Sequence, residues 1–353
     1  MLLNNRAREF LEKHKTGLEK SYGVKDASKY FALTDPKEIS LRAALLDEVD
    51  FLNMITCIDV DQLSGQVISV GNPGIFTGRR QDGRFMRKVG VSGNDYALSE
   101  TDSGAALRWD VLSVWANAGG ENEFFERMQA FINQSFALDM LRIGFNGTHV
   151  ADDTDADKYP NGEDVNIGWH QIAKDWEGGK QVITTPVTLD DAGDFRSLDA
   201  MAQDIVNTCI PVQFRNDPRL TVLVGAELVA AEQNRLYNAA DRPTEKIAAQ
   251  MLGTTIAGRP AYIPPFMPGK RMVVTIPANL HIYTQRNTRQ RKAEFVEDRK
   301  QYENKYLRNE GYALEYRELY GAYDESAVTI GKVTEQSEKM NIVQETHDQD
   351  GTE

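Results

Sequence analysis

Apolar side chains recur at helical spacing near the start of the chain. In residues 2–19 one helical face collects the apolar residues Leu3, Ala7, Phe10, Leu11 and Leu18. Charged side chains surround this stripe, so the pattern predicts an amphipathic helix that ends at Tyr22-Gly23. A second helix is predicted from Pro36 to about Ile55, because an Asp before a Pro is typical of a helix start.

The longest helical pattern covers residues 121–145, about 36 Å at 1.5 Å per residue. Further helices are predicted at 197–209, 226–238 and 244–252. Short apolar or alternating segments predict strands at 220–224, 261–263, 272–276, 280–284, 312–320 and 328–330. Helices and strands mix without a regular βαβ rhythm, so the predicted fold class is α+β.

Residues 60–108 have a different character. Short β-like segments flank a Gly-rich middle, which predicts a long two-stranded excursion. Its tip is basic, with only Asp82 as a counter-charge; the basic residues are Arg79, Arg80, Arg84, Arg87 and Lys88. A loop of this length without a core of its own is typical of a binding element or of disorder. Carboxylates of a neighbouring subunit are favoured over nucleic acid as its partner, because only Phe85 offers a stacking ring.

The composition is that of an ordinary folded protein: 353 residues, 41% hydrophobic and 26% charged, with a formal net charge of -13. The length allows two or three domains, or one large discontinuous domain. Such acidity argues against neutralising DNA over the whole surface. Cys57 and Cys209 lie in apolar stretches and are interpreted as buried thiols in a reducing compartment. No signal peptide and no run of roughly 18 apolar residues is present, so no membrane partner is expected.

The charge is unevenly distributed along the chain. Residues 1–30, 79–88 and 286–308 are basic, whereas 152–164 and 335–353 are acidic. The basic N-terminal helix suggests a detachable module, and residues 332–353 are predicted to be a disordered acidic tail. Complementary patches of this kind suit a subunit that repeats in an assembly.

Sequence signatures of enzymes are missing. The chain has no GxGxxG after a strand, no GxxxxGK[ST] and no HExxH, and its five histidines are scattered. Asp153, Asp155, Asp157 and Asp164 match positions of a calcium loop, but Lys158 replaces the turn glycine, which favours a solvated loop. We therefore expect no catalytic, cofactor-binding or metal-binding residues and no cofactor. An unrecognised α+β enzyme and a nucleic-acid-binding module remain open alternatives.

Several strings, in order along the chain, resemble the major capsid protein of peduovirus-type temperate tailed phages. They are 50–55 (DFLNMI), 138–147 (LDMLRIGFNG), 167–171 (IGWHQ), 197–200 (SLDA), 217–225 (DPRLTVLVG) and 303–306 (ENKY). The resemblance covers about residues 5–331. It implies the Hong Kong 97 capsid fold and a structural protein of the icosahedral head that encloses double-stranded DNA. Another shell protein of this fold, such as an encapsulin-like compartment or a gene-transfer particle, is the alternative.

The resemblance also implies a division of the chain into the domains of that fold. Residues 1–31 would be an N-terminal helical segment, 32–59 an N-terminal arm and 60–112 the extended loop. Residues 113–179 and 280–331 would form the peripheral domain with its long spine helix. Residues 180–279 would form the axial domain, followed by the 332–353 tail.

Partners follow from the same resemblance. The subunit would form pentamers and hexamers with itself, and meet a scaffold, a maturation protease, the portal protein and packaged DNA. Assembly would take place in the host bacterial cytoplasm and the product would be the virion. A maturation cut, if made, would fall near Lys29, Tyr30, Phe31 and Ala32.

Overall fold

The chain forms two compact units, each built from two separate stretches of sequence. The structure is a computed structural model and describes residues 3–33, 35–47, 49–67, 79–80, 94–239 and 255–331. Unit 1 comprises Met1–Gly178 and Ile276–Arg317; unit 2 comprises Gly179–Thr275 and Glu318–Glu353. The predicted acidic tail and the predicted helix at 244–252 lie outside the described residues.

The helices of unit 1 include two that the apolar spacing predicts, two in a region predicted as one helix, and two that were not predicted. They are α1 (Asn5–Tyr22), α2 (Asp35–Asp47), α3 (Asp50–Met54), α4 (Trp109–Ala118), α5 (Glu121–Asn146) and α6 (Trp169–Asp175). The single helix predicted from Pro36 to Ile55 is wrong, because Val49 has extended backbone (φ -137°, ψ 111°) and separates α2 from α3. The long helix predicted at 121–145 is confirmed as α5.

The caps of α1 explain where it begins and ends. The Asn4 side chain accepts hydrogen bonds from the backbone N–H groups of Arg6 and Ala7, at 2.6 and 3.1 Å. Gly23 follows the last turn with φ 68°, a left-handed conformation that glycine adopts without a Cβ penalty. The helix therefore has satisfied groups at both of its termini.

The main sheet of unit 1 is organised around one long strand. Its strands are β1 (Phe31–Ala32), β2 (Thr56–Val60), β5 (Ser99–Arg108), β12 (Leu280–Gln285), β13 (Gln290–Val296) and β14 (Gln301–Leu314). Strand β14 pairs antiparallel with β13 and β12 and, over ten residue pairs, with β5. Strand β1 adds to β13, and β2 adds in parallel to β12.

The strand predicted at 312–320 is wrong, because only residues 312–314 of it belong to β14 and the earlier part of β14 was not predicted as a strand. Strand β14 ends at Leu314, and residues Arg317–Leu319 form a short 3-10 turn. Asn279 stabilises this exit, because its side chain accepts from the Tyr316 backbone N–H at 2.7 Å and donates to the Tyr316 carbonyl at 3.0 Å. The tyrosine alternation continues past the strand end, where Tyr316 is half-buried and Tyr320 is buried.

Unit 2 has a sheet of its own. Its strand order is β6 (Val182–Ile183), β15 (Gly321–Tyr323), β11 (Met272–Thr275), β8 (Thr221–Val224), β10 (Arg259–Tyr262) and β9 (Thr255–Ile256). The helices are α7 (Leu198–Thr208) and α8 (Ala226–Ala239), and β7 (Val187–Leu189) pairs with β16 (Val328–Ile330). Residues 318–331, assigned above to the peripheral domain, thus lie in unit 2, because β15 and β16 pair with its strands.

Candidate assembly surfaces

The base of the basic loop is a two-stranded ladder. Strand β3 (Ser64–Val67) pairs antiparallel with β4 (Asn94–Ala97), as predicted for the two-stranded excursion. Arg79 and Arg80 are exposed and, among the described residues, form no ion pair. Arg84, Arg87 and Lys88 lie outside the described residues. The two described arginines therefore offer positive charge at the surface.

Packing fixes the ladder to the main sheet of unit 1. Val67 and Leu98 are buried against Tyr283 and Ala313, and the Tyr96 ring stacks on Tyr283 with centroids 4.7 Å apart. The Asn94 side chain donates to the carbonyl oxygens of Leu314 and Glu315 at 3.0 and 3.1 Å. The loop thus starts from a rigid base.

Strand β5, which continues from β4, has two carboxylates without a salt-bridge partner in the described part of the chain. Glu100 and Asp102 alternate with buried Thr101 on this strand, so both project from its exposed face. Burial raises the pKa of Asp102, and the charge of Glu100 raises it further, against the opposing effect of Lys305 and Arg308. The sequence analysis missed this pair, although the alternation of exposed and buried residues around Thr101 signals it.

The glycines in the strings 138–147 and 167–171 mark a close crossing of two helices. A Cβ at Gly144 of α5 would overlap the ring of Trp169, the first residue of α6. A Cβ at Gly168 would lie against the Gly144 carbonyl. Trp169 is fully buried, donates from Nε1 to the His281 carbonyl at 3.0 Å, and meets Tyr312 edge to face. These residues lock the end of α5 onto the sheet.

The charged face of β14 beneath α5 holds a buried ion pair. Arg308 Nε donates to Glu310 Oε2 at 2.6 Å, and Arg308 Nη1 donates to Ser103 Oγ at 2.7 Å. Tyr312 donates its hydroxyl hydrogen to the Met140 carbonyl at 2.9 Å. Burial raises the pKa of Tyr312, which keeps this phenol neutral. This network ties β14 to β5 and to α5.

The acidic loop at 148–166 uses its carboxylates to order its own backbone. Asp164 is buried and accepts from the Asp155 backbone N–H at 2.7 Å. Asp155 in turn accepts from the backbone N–H groups of Asp157 and Lys158. These hydrogen bonds are the arrangement of a self-capped loop, which agrees with the solvated-loop interpretation.

Helix α1 packs into the core of unit 1 through its apolar face, and its detachment stays a prediction. Ala7 and Leu11 have no exposed surface, and Phe10 lies against Phe124 and Phe125 of α5. His14 faces Phe125 and Tyr302, and burial, together with the charge of Arg291, lowers the pKa of His14 to about 4. The helix is basic only on the side that faces away from this core.

The proposed cleavage region changes from exposed chain to sheet within four residues. Lys29 and Tyr30 are exposed, whereas Phe31 is buried and pairs with Arg291, and Ala32 pairs with Gln290. A protease has to bind its substrate in an extended, accessible form. Lys29 and Tyr30 meet that condition better than Phe31.

Within the described part of the chain, no helix combines the length and the apolar content needed to cross a bilayer. The candidate assembly surfaces are the basic loop with its two-stranded base and the acidic face of β5. Helix α1 covers part of the core of unit 1.

The chain is similar in sequence to known phage capsid proteins. A family model described as "Phage major capsid protein, P2 family" matches residues 10–325. The "Capsid proteins" of Escherichia phage P2 are 26% identical over 278 residues, covering 73% of this chain and 76% of the relative. The "Major capsid protein" of Serratia phage KSP20 is 24% identical over 272 residues, covering 72% and 77%.

A solved structure shows the same fold. The chain matches a subunit of the satellite phage P4 procapsid that includes the size determination (Sid) protein, with a TM-score of 0.72 and 24% identity. The match covers 92% of this chain and 99% of the other. The fold is thus the Hong Kong 97-like α+β fold of tailed-phage capsids.

The family match and the two capsid relatives identify the chain as a structural subunit of a phage head. The chain belongs to the P2 family of phage major capsid proteins.

Proposed function

We propose that many copies of this chain assemble, as pentamers and hexamers, into the icosahedral head that encloses the double-stranded DNA of a tailed phage. The match of the capsid family model across residues 10–325 is the observation that carries this proposal. Heterologous contacts between identical subunits close into rings when the rotation between neighbours is regular. Assembly would take place in the host cytoplasm, with a scaffold and the portal protein as further partners.

The subunit would act by association rather than by catalysis. The features described above are packing contacts, a charged loop and exposed carboxylates, and these supply binding surfaces. Shell formation needs many contacts that are individually modest, because each subunit touches several neighbours at once.

The basic tip would contact carboxylates of an adjacent subunit. Its candidate residues are Arg79, Arg80, Arg84, Arg87 and Lys88. Glu100 and Asp102 on β5 are suitable acceptors, since neither forms an ion pair within the described residues. Such pairs set orientation and association rate more than affinity.

The N-terminal segment would be cut during maturation within the region Lys29, Tyr30, Phe31 and Ala32. Exposure of Lys29 and Tyr30 supports cutting at the N-terminal side of this region. Mass spectrometry of purified heads tests the cut, because shells in which every subunit keeps residues 1–31 contradict it.

The assembly proposal is tested by charge reversal at the tip. The variant Arg79→Glu, Arg80→Glu, Arg84→Glu, produced with the neighbouring head proteins, is expected to yield folded subunits but no regular shells in negative-stain microscopy. Arg196→Glu, an exposed arginine on unit 2, is the control and should still form shells. Regular shells from the triple variant would exclude the tip contact. If the unaltered chain forms no shells under these conditions, the assembly function itself fails.

A further inference from the structure

Helix α1 contacts the rest of unit 1 almost wholly through side chains. Its covalent connection to β1 consists of residues 23–30. We propose that α1 is a separable helix held in a groove of unit 1. It therefore stays bound after the chain is cut within residues 23–30, and the α1 helix of a second copy can take its place. This proposal concerns the single subunit and does not depend on shell assembly.

The apolar contacts supply the affinity. Ala7 and Leu11 are fully buried, and Leu3 and Phe10 are 7% exposed. They share one hydrophobic cluster with residues of α4, α5 and β14, namely Leu112, Ala116, Phe124, Met128, Ile132 and Tyr302. These are side-chain contacts, so an intact main chain between α1 and β1 is not needed for them.

Polar contacts at the N-terminal half of α1 fix its position along the groove. The Asn4 side chain donates to Asn117 Oδ1 at 2.7 Å, and the Asn4 backbone N–H donates to Ser113 Oγ at 3.2 Å. Arg6 Nη2 donates to the Gly119 carbonyl at 3.0 Å, and Lys13 Nζ lies 2.8 Å from Glu121 Oε2. Hydrogen bonds at fixed points select one register among those that an apolar groove allows.

Both ends of α1 are capped by residues directly adjacent to the helix. Asn4 caps the first turn, Gly23 closes the last one, and Lys13 lies one turn after Glu9 at 3.1 Å. An isolated helix of this length is marginal in water, so the groove supplies the remaining order on binding. The helix therefore behaves as an amphipathic ligand that folds in its site.

The connecting residues leave both new ends anchored after a cut. Upstream, Lys15 pairs with Asp26 at 3.0 Å, and the Ala27 carbonyl accepts from the Ala293 backbone N–H at 2.9 Å. Downstream, Phe31 and Ala32 remain paired with β13. Lys29 is exposed between these anchors, so a protease can reach the chain there without breaking either one.

The test inserts a specific protease site between Ser28 and Lys29 of the full chain. After complete cutting, the fragment of residues 1–28 is expected to co-elute with the body in native size-exclusion chromatography. A labelled peptide of residues 3–22, added in excess, is expected to replace it. Leu11→Ala in the same cut protein should weaken retention by roughly 30-fold or more, since losing a buried Leu costs about 2–5 kcal/mol. Arg8→Ala, at an exposed position, should leave retention unchanged.

Two outcomes overturn the proposal. One is a fragment that separates from a folded body as soon as the chain is cut. The other is a cut body that aggregates even with the fragment present in excess, since this shows that the chain connection itself is required. Retention that is equal in the cut Leu11→Ala protein and in the cut parent would also contradict binding through the groove.

Discussion

Phe10 of α1 and Phe124 of α5 lie with ring centroids 5.5 Å apart and ring planes inclined by 55°. This tilted contact joins the basic N-terminal helix to the long helix of the capsid fold. Phe124 has no exposed surface, and part of that burial is due to α1. The stability of the subunit should therefore depend on a residue near the beginning of the chain.

Phe10→Ala is expected to lower the free energy of unfolding of the subunit by about 3–5 kcal/mol, because it leaves a cavity against two phenylalanine rings. Urea unfolding followed by tryptophan fluorescence measures the change. Arg8→Ala, on the exposed face of the same helix, should change it by less than about 0.5 kcal/mol. Equal effects of the two substitutions would show that α1 is not part of the core.

His14 makes the α1 contact sensitive to acid. Burial and the charge of Arg291 lower its pKa to about 4 in the folded protein, from an ordinary value near 6.5. The unfolded chain thus binds the proton first, and this stability is complete above about pH 6.5 and is lost as the pH falls towards 4. His14→Leu should reduce the loss of stability between pH 7 and pH 4.5 by about 2 kcal/mol.

His149→Leu is the control for that experiment, because His149 is exposed. Some acid sensitivity should persist in the His14→Leu protein, since burial also lowers the pKa of His281 to about 4. A His14→Leu protein with the pH profile of the parent would show that this imidazole titrates as it does in water.

Asn304 stands on the core face of β14 with both amide atoms buried and without a hydrogen-bond partner. Its cross-strand neighbours are Ala293 and Ala105. Because both side chains are small, they leave room for a leucine at position 304. Asn304→Leu should raise the free energy of unfolding by about 1–3 kcal/mol, because it removes an unsatisfied buried amide. Thermal unfolding by calorimetry measures this gain.

Asn133 provides the matched comparison. It is also buried, but its side-chain oxygen accepts from Gln129 Nε2 at 2.6 Å. Asn133→Leu should therefore destabilise the subunit. Destabilisation by Asn304→Leu as well would indicate an ordered water bound to that amide.

Gly144 tests the helix crossing. Gly144→Ala should cost about 1–3 kcal/mol, because the added methyl group overlaps the rigid, buried ring of Trp169. Gly104→Ala on β5 is the control, since nothing lies within 4 Å of a Cβ at that position. The urea concentration at the midpoint of unfolding is measured for both variants. A Gly144→Ala protein as stable as the control would contradict the steric role assigned to this glycine.

The sequence predicted long, strongly periodic elements well. The helix α5 and the ladder at the base of the basic loop follow directly from spacing and from glycine content. The break at Val49 was missed because the apolar positions continue through it at helical spacing. Most of β14 was missed because residues 285–308 are highly charged. Its end was missed because Tyr316 and Tyr320 continue the alternation beyond Leu314, where the chain already leaves the sheet.

The candidate surfaces were harder to predict, for a physical reason. Net charge along the sequence predicted the basic tip, because its basic residues cluster within 79–88, and the role of this tip stays a prediction. For α1 the net charge describes only the exposed side of the helix, and the apolar contacts of the other side are known from the packing. Glu100 and Asp102 gave only the weak signal of alternation around Thr101, and their lack of a salt bridge among the described residues is known from the structure alone.

The position of β14 at the centre of the main sheet has a consequence for synthesis on the ribosome. Strands β5, β12 and β13 pair with it directly, and β1 and β2 are joined to it through those partners. Residues 301–314 are translated after all of them, so the earlier segments of unit 1 wait for a late segment before their backbone pairing is complete. During that interval the nascent chain exposes sheet edges and apolar faces, which makes this period of translation the one most exposed to aggregation.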